Sequence, residues 1–135
     1  MKNIIIFYLI SIILIGNLKA EYENWSFFNM DNSILPDNDI RTVKVDSKDV
    51  IWAGTYFGLV KFDGAEWTLY TSKNTELPSD FINNINFDNN NNVWIGTTKG
   101  LAKFDGINYT VFNANNSGLS TDNIENFTID KLNNI

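Results

Sequence analysis

A 42-residue period, strand-length apolar runs and glycine-centred turns predict an all-β chain: a partial β-propeller built from four-stranded antiparallel blades. The period has no gaps. Trp52 recurs as Trp94, Gly54-Thr55 as Gly96-Thr97, Gly58-Leu59 as Gly100-Leu101, and Lys61 to Gly64 as Lys103 to Gly106. The same offset stacks Ile40, Ile82 and Ile124, then Asp46, Asp88 and Asp130, then Leu35, Leu77 and Leu119. A period of about 20 to 50 residues means units that cannot bury their apolar faces alone and must stack. No segment keeps helical apolar spacing over three turns, which excludes the helical repeats.

The elements follow in order. Residues 1–20 have the layout of a secretory signal peptide: Lys2, the apolar run Ile4 to Ile15, then a polar stretch ending at Ala20. That run is shorter than the roughly 20 residues that span a bilayer as a helix. Residues 21–37 hold a lone fourth strand, Trp25 to Phe28, and its connector. One blade covers 38–80, a second 81–122, and residues 123–135 hold the first strand of a next blade, Ile124 to Ile129.

Within a blade, strand one is Ile40 to Val45 and its copy Ile82 to Phe87. Strand two, Val50 to Thr55 and Val93 to Thr97, is almost continuously apolar, as expected of a strand buried on both faces. Gly58 and Gly100 supply turns that need positive φ before strand three, Leu59 to Phe62 and Leu101 to Phe104. Asp63-Gly64 and Asp105-Gly106 mark the next hairpin, leading to strand four at Trp67 to Tyr70 and Tyr109 to Phe112. The residues expected to form the repeated core are Trp52, Gly54, Thr55, Gly58, Leu59 and Phe62, with their copies Trp94, Gly96, Thr97, Gly100, Leu101 and Phe104.

Composition closes several functional classes. The 135 residues contain no Cys and no His, which removes disulfides, thiol nucleophiles, imidazole bases and Ser-His-Asp triads. Net charge is −6, and removal of residues 1–20 takes away Lys2 and Lys19 but no acid, leaving −8. No basic stripe exists for a nucleic acid backbone, so no nucleic acid is expected as a partner. No cofactor is expected, and a Cys-free exported chain suits a bacterial periplasm or surface, held together by packing alone.

The string from Asn83 to Asp88, followed by Val93-Trp94-Ile95-Gly96-Thr97 through Gly100-Leu101 to Phe104-Asp105-Gly106, resembles the two-component regulator propeller repeat. The core recurs once more at Trp52 to Gly64, with Ala53 in place of Ile. The resemblance covers essentially residues 21–135. It implies a ligand-sensing propeller segment of a periplasmic sensor related to hybrid histidine kinases, whose ligand is an oligosaccharide or another small periplasmic molecule. A propeller needs about four blades to close. The chain is therefore expected to be an N-terminal fragment, whose missing blades and output domain are its partners. Its uncapped strand edges are expected to self-associate. The alternatives are a secreted scaffold or adhesion propeller without signalling output, and part of a glycan-active propeller enzyme.

No catalytic residue or metal site is expected. Asp88 to Asn92 has the oxygen side chains of a calcium loop but lacks its glycine and its bidentate Glu, so a turn explains it. Asp46, Asp63, Asp88 and Asp105 could pair for glycoside cleavage, yet they recur at equivalent places in each blade, which points to turn roles. Trp67 and Tyr109 are equivalent and expected between blades. Tyr56 and Phe57 differ: their copies are Thr98 and Lys99, so the repeat does not demand them, and they are the candidate ligand contacts.

Overall fold

The computed structural model describes residues 4–6 and 25–135. Residues 1–3 and 7–20 of the expected signal peptide lie outside the described residues, as do 21–24. Among the described residues ten strands follow in order: β1 (Ile4–Ile6), β2 (Trp25–Phe27), β3 (Thr42–Val45), β4 (Ile51–Gly54), β5 (Leu59–Phe62), β6 (Trp67–Tyr70), β7 (Ile82–Phe87), β8 (Val93–Thr97), β9 (Gly100–Phe104) and β10 (Tyr109–Phe112). β3 to β6 form one antiparallel meander and β7 to β10 a second, while β1 and β2 pair in parallel. The two meanders are the two expected blades.

Strand two is the most buried element of each blade: every residue of β4 and of β8 is buried. The apolar runs require this, because a strand with apolar side chains on both pleat faces is stable only between two covered surfaces. Blade two lays β7 against β3 and β4. Trp52, Leu59, Leu77, Ile82, Ile85, Val93, Ile95, Ala102 and Phe104 thereby become one core between the blades.

Two devices join the blades. Ile82 N–H donates to the Thr55 carbonyl at 2.9 Å, and Ile124 N–H repeats this on Thr97 at 2.8 Å. The hydroxyls of Thr55 and Thr97, both fully buried, donate to the carbonyls of Gly58 and Gly100 and close the strand two to three turns. The second device is aromatic. Phe28 packs on Phe62 and Trp67, and one period later Tyr70 packs near Phe104, which stacks on Tyr109 at 4.5 Å. Strand four of one blade thus reaches into the aromatic cluster of the next. Trp67 and Tyr109 sit in these inter-blade clusters, half-buried.

Tyr109 differs from Trp67 in one respect: its hydroxyl is buried and, among the described residues, makes no hydrogen bond of normal geometry, Thr75 being its nearest polar neighbour. Burial pushes its pKa up to about 12; nearby Thr75 opposes this and Tyr70 adds to it. A raised folded-state pKa means the contribution is complete below the unfolded value of about 10 and is lost as pH climbs from there toward 12. Tyr109→Phe removes a poorly satisfied polar group without removing the ring. It is expected to raise stability at pH 7 by up to about 1 kcal/mol and to flatten the loss between pH 10 and 12. Urea midpoints of both proteins at pH 7 and pH 10.5 check this; a destabilised variant would show that the hydroxyl is satisfied.

The repeat predicts a strand at Ile124 to Ile129, and there the structure differs: among the described residues this segment has no strand partner. A strand-one ladder is made with strand two, and among the described residues no strand two lies beside this segment. The segment instead lies along blade two. Asn83 and Asn86 side-chain amides donate to the carbonyls of Ile124 and Phe127, and Ile124 packs with Trp94 and Leu101. Strand one of the first blade is also shorter than expected, starting at Thr42.

Candidate functional site

A four-stranded meander puts the strand two to three turn at the same end as the connector between blades, and the other two turns at the opposite end. The two ends differ chemically. At the opposite end, each expected turn is built around an aspartate. Asp46, Asp88 and Asp130 accept from the backbone N–H groups of Lys48 and Val50, of Asn90 and Asn92, and of Leu132 and Asn134, respectively. Asp49, Asn91 and Asn133 take the positive φ, near 62°, that the turn needs. Asp63 and Asp105 each accept two backbone N–H groups within the Asp-Gly hairpins. Those backbone donors, led by Glu66 and Asn108, hold both carboxyls below the usual range. Each of these aspartates holds its own turn, as the turn reading of Asp88 to Asn92 expects, and Asp46 and Asp88 also accept the indole N–H of Trp52 and Trp94.

The connector end is held by residues that sequence reasoning passed over. Asn32, Asn74 and Asn116 stand 42 residues apart, and each donates to the carbonyl of Phe27, Leu69 or Val111 while accepting from the N–H of Asn29, Thr71 or Asn113. Their stacking at the repeat offset was the available signal.

Tyr56 and Phe57 lie at this end, in the turn from β4 to β5. Phe57 is 61% exposed. Tyr56 meets Phe81 edge to face, with ring centroids 4.4 Å apart. Arg41 lies over both rings, its guanidinium carbon 4.7 Å from the Tyr56 centroid and 4.9 Å from that of Phe81. Its Nη1 donates to the Tyr56 hydroxyl. Arg41 precedes β3 and Phe81 precedes β7, so the corner is assembled from both blades. Neither residue is required by the repeat: Arg41 aligns with Asn83 and Glu125, and Phe81 with Asp39 and Asn123. At the equivalent place in blade two, Thr98 hydrogen-bonds Ser79 at 2.9 Å, so the turn closes without an aromatic ring.

A shallow concavity of about 560 Å³ at the same end, lined by Leu119 to Thr121 and Asn123 to Asn126, offers neither an aromatic ring nor a cation. Among the described residues no three His, Cys, Asp or Glu side chains gather as a metal site, and no helix is long and apolar enough to cross a membrane.

The family model described as "Two component regulator propeller" matches residues 34–57 and 76–99, one segment in each blade. Among solved structures, the chain is similar to the extracellular domain of the putative hybrid two component system BT3049 from B. thetaiotaomicron, at 24% identity and a TM-score of 0.61. The similarity covers 70% of this chain and 14% of that one. No curated protein matches the chain.

Proposed function

We propose that this chain, which carries two-component regulator propeller repeats, is a ligand-sensing propeller segment of an extracytoplasmic two-component-type sensor. Residues 1–20 act as its export signal, and the ligand class is an oligosaccharide. The observation that carries this reading is the Arg41, Tyr56 and Phe81 corner with the exposed Phe57 beside it. In a chain otherwise governed by its repeat, these residues leave the pattern together and meet in space, and aromatic faces flanked by polar groups suit sugar rings. Catalysis is not part of the reading, since the recurring aspartates serve as turn acceptors.

The test is genetic and chemical. Deleting the gene in its source cell is expected to abolish the transcriptional response to one oligosaccharide class while leaving growth on simple sugars unchanged, and the exported protein should begin at Glu21. Unchanged transcripts on every glycan, with the protein retained at the cell surface, would refute the sensor reading in favour of a scaffold.

A further inference from the structure

We infer that the corner formed by Arg41, Tyr56 and Phe81 binds the carboxylate of an acidic saccharide, with Arg41 reading the charge. This rests on the proposed reading of the chain as an oligosaccharide-sensing segment. Arg41 is the chain's single arginine, in a protein of net charge −6. Among the described residues the one ion pair joins Lys103 to Asp88, so no carboxylate stands within 4.0 Å of the guanidinium. An exposed arginine in an acidic chain ordinarily finds a surface carboxylate; this one is held by two rings.

That holding matters for recognition. A guanidinium has five N–H donors in a planar fork, and here one of them donates to the Tyr56 hydroxyl. Among the described residues the others reach no protein acceptor, and the fork is already oriented by the rings, so less freedom is lost when an anion docks. The planar fork matches a carboxylate bidentately. The Tyr56 oxygen accepts from Arg41, which leaves its own O–H to donate to the ligand. Phe57, next in the turn, presents apolar area for the C–H face of a pyranose ring. A purely structural staple between blades would be expected at the next junction as well, yet there Asn83 and Thr98 replace Arg41 and Tyr56.

Trigalacturonic acid and its fully methyl-esterified, neutral form test the inference, because the ester removes every charge while adding only one methyl group to each carboxyl. Calorimetric titration of the full-length protein should show the acid binding about tenfold or more tightly than the ester, with the difference shrinking at high salt. Arg41→Gln should erase the preference and Arg41→Lys should restore part of it. In the unmutated protein, the Arg41 Nε–H resonance should move on adding the acid and stay still with the ester, a readout that does not depend on any variant folding. Equal binding of acid and ester, or a preference surviving Arg41→Gln, would overturn the acidic assignment while leaving an oligosaccharide sensor intact. Binding of neither probe at millimolar concentration would overturn it too, and the sensor reading would then stand or fall on the transcriptional response.

Discussion

Asp88→Ala is expected to cost about 3 kcal/mol of folding free energy. The Asp88 side chain is only 5% exposed. Its Oδ2 accepts the Trp94 indole N–H at 3.0 Å and the Asn92 amide at 2.8 Å, and its Oδ1 accepts the backbone N–H groups of Asn90 and Asn92. Lys103 adds a distant ion pair at 3.9 Å. Alanine strands several of these donors at once, and the buried indole cannot turn to water without leaving the core. The molecule contains its own control. Asp130 accepts from the equivalent turn but, among the described residues, has no indole partner and is exposed, so Asp130→Ala should cost far less. Similar losses for the two variants in urea denaturation would disprove the role given to the indole bond.

The same geometry sets an acid limb. Burial acts to raise the Asp88 pKa, but the hydrogen bonds from Asn92, Trp94 and Asn90 outweigh it, and the carboxyl is held below its ordinary value of 3.8. A depressed folded-state pKa means the stabilisation is present above the unfolded value and is lost as pH falls below it. Asp88→Ala should therefore lose less stability than the parent between pH 4 and pH 2.

Gly54→Val is expected to destabilise the chain by about 3 kcal/mol or more, through overpacking. Intrinsic preference argues the other way, since valine suits a strand and glycine weakens one by roughly 0.5–1 kcal/mol. Sterics decide the sign. A Cβ at Gly54 would lie 2.5 Å from Ile82 Cγ2 and 2.8 Å from Thr42 Cγ2. Ile82 is fully buried, and its N–H is tied to the Thr55 carbonyl, so it cannot retreat without parting the blades. Amide exchange of Ile82 should accelerate in the variant. At Gly96 the corresponding Cβ would meet Ile124 Cγ2 at 3.0 Å, so Gly96→Ala should be milder. At Gly118 it meets nothing within 4 Å, and Gly118→Ala should be neutral or slightly stabilising. A Gly54 variant as stable as the Gly118 one would rule out the close approach of β4 to β7.

What the sequence determined by itself is whatever obeys the period or is local in the chain. Trp52 and Trp94 as core, strand two as the buried strand, the Asp-Gly hairpins and the aspartate-centred turns all rest on contacts within a few residues or on a pattern repeated 42 positions later. Alternation and turn chemistry report such contacts directly, because strand pleat and backbone conformation are set by neighbours in sequence. Tyr56 and Phe57 were legible as departures from the repeat, but what they do was not. Their partners, Arg41 and Phe81, precede the first strands of successive blades, and only the packing of β7 on β3 and β4 brings them together. Tertiary structure likewise decided the segment Ile124 to Ile129: its side-chain pattern is that of a strand, but a strand exists only where a second backbone offers its ladder, and that is a property of the assembled fold.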